Sequence, residues 1–289
     1  MKTRELLLAL LVPLTWALGF TVAKAALDEF PPLLLMSMRF FIAGLILVWF
    51  VPIPRHCLKD LFWISLVGST LQYGLTFTGL SMIDASLGGI VVQLEVPFSV
   101  LLAVIFFRER PGLLRIIGMT ISFLGIALIA GRPSLSGHLE GILLTASGAL
   151  VWAVGQIMYK RISSQIDGLT GIAWIGVIAA PQMLIGSMIF ETGQVDALMN
   201  ASWVGWTSVV YLGLIMTVVG YGIWFTVLAR NPVSHIMPVL LVLPVFTVLF
   251  SVLLLGEKPS LEILLGGVTI LAGVSLIVFS KSHTRPTEL

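Results

Sequence analysis

One carboxylate stands alone in the long apolar runs of this chain: Glu95, between Gly89 and Phe98. A carboxylate in mid-hydrocarbon costs about 2.5–3.5 kcal/mol on insertion scales, so such a group faces a cavity or a partner. Three uses fit it. It can exchange a proton, bind a substrate ammonium group, or pair with Arg39, the basic residue inside the preceding apolar run but one. By helical rise, Glu95 lies about 16 Å and Arg39 about 12 Å from the same side, less than one turn apart in depth. Around them stand aromatic and amide side chains: Trp16, Gln72, Tyr73, Phe77, Trp152, Gln156, Tyr159, Tyr221 and Trp224. Trp16, Trp152, Tyr73 and Tyr221 fall near the middle of their runs, not at the interfacial positions that membrane aromatics favour. Aromatic walls with a few polar groups suit a small zwitterion, offering an apolar pocket and sites for ammonium and carboxylate. The same aromatics could instead wedge helices together. Gln93, two residues from Glu95, points to another helix face and suits packing or lining equally.

What positions these groups follows from composition. The 289 residues are 58% hydrophobic and 10% charged, with a mean hydropathy of +1.07. Soluble domains carry about 25% charged residues, so the chain is expected to be an all-α integral membrane protein. Long continuous runs, without two-residue alternation, argue against a barrel. A net charge of +2 gives no reason to expect a nucleic-acid partner, and the single cysteine, Cys57, precludes an internal disulfide. No metal-ligand cluster or nucleotide-binding fingerprint is present, so no cofactor or metal is expected.

Ten stretches reach spanning length: 6–26, 32–51, 60–80, 86–107, 113–130, 140–159, 169–190, 204–228, 233–255 and 261–279. With the N-terminus in the cytoplasm, twelve Lys and Arg residues fall inside and two, Arg132 and Lys258, fall outside. The positive-inside rule then places both termini in the cytoplasm. Lys2, Arg4 and Ala23-Lys24-Ala25 give the first run the look of a leader. However, its Trp16-Ala17-Leu18-Gly19 with Lys24 recurs as Trp152-Ala153-Val154-Gly155 with Lys160. A removable segment would not repeat inside the mature chain, so it is read as a permanent span.

The repetition extends further. At an offset of 148, Tyr73 to Leu80 lies over Tyr221 to Leu228 with five of eight residues identical. Ser86 meets Ser234, Glu109 meets Glu257, Gly118 meets Gly266 and Gly125 meets Gly273, while Glu95 meets Leu243. Five spans per half is an odd number, so the halves, 1–132 and 133–289, must cross in opposite senses. Inverted repeats of this kind alternate access around a midplane site in many transporters. Pro97 and Pro244, in equivalent spans, each remove a backbone hydrogen bond and are expected hinges. The tryptophan motif repeats at an offset of 136, so twelve extra residues are expected between spans 7 and 8.

Arg39-Phe40, Pro97-Phe98-Ser99 running to Phe107-Arg108-Glu109-Arg110-Pro111, and Pro244-Val245-Phe246-Thr247 running to Gly256-Glu257-Lys258-Pro259 carry a resemblance. With the repeat, they resemble the drug/metabolite transporter superfamily in its ten-span form with two EamA-type domains. The nearest likeness within it is to the YddG-like amino-acid exporters of bacterial inner membranes. That resemblance implies export of a small metabolite through a central cavity lined by spans 1, 3, 4, 6, 8 and 9. The expected partners are therefore a small-molecule substrate and the bilayer. A proton-coupled multidrug exporter using Glu95 is the rival reading within transport. An intramembrane enzyme or receptor is the rival of another class, and it would require chemistry or signalling without flux.

Overall fold

The computed structural model of the chain describes residues 3–107, 111–130, 138–230 and 237–280. Arg108, Glu109, Arg110, Arg132, His235, Lys281, Arg285 and the boundary between the halves lie outside the described residues. Long apolar runs have no water to satisfy backbone amides in hydrocarbon, and the helix satisfies them internally. The described residues accordingly form ten helical rods.

The first two rods are α1, Thr3–Leu27, and α2, Pro32–Leu47 with a tight turn Val48–Phe50. Next, α3 joins Leu58–Ser65, Leu66–Leu71 and Gln72–Met82, and α4 joins Ala85–Val91, Val92–Leu94 and Glu95–Phe107. Single helices follow as α5, Leu113–Ala130, α6, Leu139–Lys160, and α7, Gly168–Phe190. Then α8 joins Trp203–Val210, Tyr211–Val219 and Gly220–Arg230, α9 joins Met237–Val242 and Leu243–Leu255, and α10 is Leu261–Phe279. Among the described residues, the ten rods fall on the ten apolar stretches. Seven of them are long and apolar enough to cross a membrane, and α5 and α9 hold shorter apolar helices. A short helix, Gln194–Asn200, takes up the longer connection expected between α7 and α8.

Local chemistry sets the ends. Pro32 starts α2, where a missing N–H costs nothing. Asp167, Ser202 and Ser260 accept hydrogen bonds from the first amides of α7, α8 and α10. Gly256 ends α9 at φ +68°, a left-handed turn that glycine adopts without a side-chain clash. The outer flanks of the rods leave Phe41, Trp49, Ile105, Met188, Phe190 and Leu253 exposed. So much bare apolar surface fits hydrocarbon surroundings.

Packing follows the repeat. Helices α5 and α10 run antiparallel and nearly touch: a methyl on Gly118 would lie 2.6 Å from the Gly273 carbonyl oxygen. One on Gly125 would lie 3.0 Å from that of Gly266. Exchanging the halves maps this seam onto itself. Helices α2 and α7 also run antiparallel, with the Ser37 hydroxyl donating to Ala180 O at 2.8 Å and Gly44 against Gly176. Against α6, α3 seats Gly68 on Gly155; α8 answers against α1 by seating Met216 on Gly19, their repeat equivalents.

The irregular turns repeat as well. The wide π turns at Leu66–Leu71 and Tyr211–Val219 both precede the Tyr-Gly pair, at Tyr73 and Tyr221. The tight 3₁₀ turns at Val92–Leu94 and Met237–Val242 sit just before Pro97 and Pro244. Proline removes the helical bond to the carbonyl four residues back, which explains a break there. Both kinds of irregularity recur at functional sites.

Candidate functional site

The π turn of α8 and the helix that follows the break in α3 both pack on α2, and Arg39 lies between them. Its side chain is 1% exposed. Its Nε donates to Thr217 Oγ1 at 3.0 Å, and its Nη1 reaches Met36 Sδ at 3.9 Å. The guanidinium carbon lies 4.9 Å from the centre of the Tyr73 ring and 5.4 Å from that of Phe40. Thr217 can accept from Arg39 because its own hydroxyl hydrogen goes to Leu212 O, five residues back, at 2.8 Å. The π turn of α8 creates that geometry. The pairing of Arg39 with Glu95 that equal depth suggested is absent among the described residues. Arg39 is turned onto Thr217 and the aromatic faces instead, and no carboxylate of the described residues lies in ion-pair range.

Aromatic rings extend the site in two directions. Tyr73 stacks on Phe77 (centroids 5.6 Å, planes 17° apart), and Phe77 stacks on Phe20 at 6.1 Å. Across the seam between halves, Tyr221 packs on Trp16 at 5.0 Å, and Trp16 on Trp224 at 6.0 Å. Tyr221 lies within electrostatic reach of Tyr73, Arg39 and Glu95. Glu95 is half-buried at the first residue after the break in α4, and its backbone carbonyl accepts from the Ser99 hydroxyl at 2.6 Å. Its carboxylate has no hydrogen-bond or ion-pair partner among the described residues. In this neighbourhood two further polar atoms are buried without a partner among the described residues: the Trp16 indole Nε1, packed against Gly220 of α8, and Gln72 Oε1, while Gln72 Nε2 donates to Thr76 Oγ1 at 3.0 Å.

Of the residues singled out in the sequence, then, Trp16, Arg39, Tyr73, Phe77, Tyr221, Trp224 and Glu95 share one neighbourhood. Gln72 is buried beside it against Gly148 of α6. Three residues go elsewhere. Tyr159 packs on Gly171 of α7 and joins Cys57, Leu61, Ile64 and Ile162 in a separate cluster. Gln156 is exposed, and Trp152 makes no ring contact among the described residues. Trp152 and Tyr73 are the repeat equivalents of Trp16 and Tyr221, yet only the latter pair touches. The Tyr73 ring is already occupied by Arg39, Phe40 and Phe77. Thr217, Phe40 and Phe20 are additions. Only the Arg39-Phe40 pair carried a signal in the sequence, since a buried hydroxyl and a phenylalanine look like ordinary filling.

One end of the bundle, marked by Lys24, is tied shut. Three carboxylates each bond the first amides of a distant helix, the natural anion site of a helix start. Glu29 accepts from Ser202 N and Oγ at α8, and Glu191 from Leu33 N (2.7 Å) and Leu34 N (3.3 Å) at α2. Glu257, aimed by the Gly256 turn, accepts from Ala85 N (2.6 Å) and Ser86 N (3.0 Å) at α4. Lys24 Nζ donates to Leu80 O and Ser81 O at the end of α3, 3.1 and 3.0 Å away. The α3–α4 corner is thus held by a cation at its carbonyl side and an anion at its amide side.

Two halves of like sequence, paired helix breaks and a buried charge point to a class, the membrane transporters built on an internal repeat. The model of the EamA-like transporter family matches residues 3–131 and again 139–279. The chain belongs to that family, and it is a multi-pass protein of a bacterial-type inner membrane. It is 30% identical to a probable amino-acid metabolite efflux pump of Escherichia coli (strain K12), across 100% of this chain and 99% of that one. A protein of the same description from Salmonella typhimurium is also 30% identical, with the same coverage. An uncharacterized transporter of Bacillus subtilis (strain 168) is 28% identical over 96% of this chain and 92% of its own. One solved crystal structure is 19% identical and covers 96% of each chain at a TM-score of 0.63, a likeness of fold.

Proposed function

We propose that the protein is a secondary transporter exporting small metabolites, amino acids foremost, across the inner membrane by alternating access. In this reading the ten rods are ten spans with both termini cytoplasmic, and residues 1–132 and 133–289 are the two inverted halves. The observation that carries it is the buried Arg39, bonded to Thr217 of the other half and set over the Tyr73 ring, with no carboxylate partner among the described residues. Equivalent breaks interrupt α3 and α8, and α4 and α9, the kind of discontinuous helix that frames transporter sites. Pro97 and Pro244 then serve as pivots. The two relatives described as amino-acid metabolite efflux pumps support the substrate class. The test is counterflow: purified protein in liposomes preloaded with one unlabelled amino acid, scored for uptake of the labelled form across a panel. Uptake above that of empty liposomes is expected for a subset, and absence of uptake for all of them refutes the reading.

A second reading makes Glu95 a proton carrier for export of a wider set of compounds. The observation in its favour is the carboxylate without a protein partner. Counterflow needs no net proton movement, whereas uptake driven by a pH gradient does. Glu95→Gln retaining the first and losing the second supports proton coupling; retaining both removes it.

A further inference from the structure

We propose that Gln182 is a positioning residue for transport: from α7 it holds the π turn of α3 open and so aims Tyr73 at Arg39. Its role in transport rests on the reading above; its geometry does not. The two π turns close at equivalent places. Gln72 N–H bonds Val67 O in α3 and Gly220 N–H bonds Ile215 O in α8, each five residues back. Each turn is gripped from the opposite half by that half's second helix. Arg39 of α2 donates to Thr217 in the turn of α8 at 3.0 Å. Gln182 of α7 takes the turn of α3: its Oε1 accepts from the Thr70 hydroxyl at 2.9 Å, and its Nε2 donates to Phe62 O at 3.3 Å. The helices that carry these two side chains are themselves joined, through Ser37 to Ala180 O and Gly44 against Gly176.

The grip fixes the ring beyond it. Phe62 lies before the turn Leu66–Leu71 and Thr70 lies within it, so one amide ties the two sides together. A π turn holds one residue more than the α-helical turn it replaces. At 3.6 residues per turn, a return to α geometry would rotate everything beyond it by about 100°. Tyr73 comes just after the turn. Its ring lies 4.9 Å from the guanidinium carbon of Arg39, packs edge-on with Phe40 at 5.0 Å and stacks on Phe77 at 5.6 Å. Such a rotation takes the ring off Arg39 and Phe40, which α2 carries, while Phe77 turns with it on the same helix. Phe62 O and the Thr70 hydroxyl then part, and one amide no longer reaches both. The turn of α3 is the one that yields more easily. Arg39 is buried and charged, whereas Gln182 is half-buried and neutral, and charge-assisted bonds are about twice as strong as neutral ones.

The experiment is fluorine NMR of the full chain labelled with 3-fluorotyrosine, run beside the counterflow assay. The chain has four tyrosines, Tyr73, Tyr159, Tyr211 and Tyr221, so single Tyr→Phe variants assign the resonances. Gln182→Met keeps the side-chain length and removes both bonds, Thr70→Val removes one, and Thr70→Ser keeps it. Gln182→Met and Thr70→Val are expected to move the Tyr73 resonance in the same direction, the double variant moving it no further than Gln182→Met does. Thr70→Ser should leave it in place. Tyr159, packed with Leu61 and Ile64 before the turn, and Tyr211, bonded to Thr15 O at 3.1 Å, should keep theirs. Counterflow of the amino acid of highest flux should fall several-fold in Gln182→Met and Thr70→Val and persist in Thr70→Ser. Should Gln182→Met fail to fold, the two Thr70 variants decide. A Tyr73 resonance that stays put, or movement of all four resonances together, reduces Gln182 to a structural tie and overturns the assignment. Unchanged counterflow with a displaced Tyr73 overturns it as well. Absence of counterflow in the unaltered protein instead overturns the transport reading, and with it the role of Gln182 in transport, while the Tyr73 resonance still decides the geometry.

Discussion

Glu257→Gln should loosen the whole Lys24 end, not only the helix start that Glu257 touches. The carboxylate holds Ala85 N at 2.6 Å and Ser86 N at 3.0 Å, and it is half-buried. Hydrogen bonds to a charged group contribute about 1.5–3 kcal/mol each. Glutamine keeps one neutral acceptor and loses the charge and the second bond, a net loss of about 2 kcal/mol. At a factor of ten per 1.4 kcal/mol, the ratio of open to closed forms should rise roughly 25-fold. Hydrogen exchange by mass spectrometry in nanodiscs reads this. If the Glu29, Glu191, Glu257 and Lys24 contacts close as one unit, amides near Leu33–Leu34 and Ser202–Gly205 should exchange faster too. They are the informative ones, because each retains its own carboxylate. Acceleration confined to Ala85 and Ser86 would refute cooperative closure and reduce Glu257 to a local cap.

Other perturbations follow from the packing. Thr217→Val removes the acceptor of Arg39 Nε and should cost about 1–3 kcal/mol, lowering the thermal midpoint in detergent, whereas Thr217→Ser should not. Gly273→Ala drives a methyl against the Gly118 carbonyl and Ser122 and should cost about 1–3 kcal/mol. Gly222→Ala, with nothing within 4 Å, should gain up to about 1 kcal/mol from helix propensity; both are read by thermal unfolding. Partial burial raises the pKa of Asp167 less than its bonds from Thr170 and Leu169 lower it, which leaves the carboxyl below its ordinary 3.8. A depressed carboxyl adds stability at neutral pH that is lost as pH falls through the folded value. Asp167→Asn should therefore reduce stability at pH 7 and flatten the acid limb below about pH 4, measured by thermal midpoint against pH.

How much of this was legible in the sequence depends on range. The rods were, because a spanning helix is one continuous apolar run, and no tertiary contact is needed to recognise it. The sequence matched Gly118 with Gly266 and Gly125 with Gly273 as repeat equivalents, but that Gly118 packs on Gly273 and Gly125 on Gly266 emerges only in the fold. The π turns were not legible. Nothing in Leu66–Leu71 or Tyr211–Val219 departs from helix-forming composition, and Thr217 becomes visible only when its hydroxyl turns back to Leu212. Depth placed Arg39 opposite Glu95 but could not supply rotation about the helix axis, and rotation sends the guanidinium to Tyr73. Equivalence also misled for Trp152. Two copies of one motif suggest two copies of one contact, yet a closed bundle need not close both sides alike. In this protein the Trp16–Tyr221 contact forms and its counterpart does not.

The account depends on equivalent positions of the two halves lying on opposite sides of the bilayer. Leu113 and Leu261 are such a pair, both exposed, at the starts of α5 and α10. The measurement is labelling of Leu113→Cys and Leu261→Cys, each in a Cys57→Ser background, by a membrane-impermeant thiol reagent applied to sealed cells and to inverted vesicles. The account predicts that Leu113→Cys reacts only in inverted vesicles and Leu261→Cys only in sealed cells. Reaction of both from the same side would contradict it.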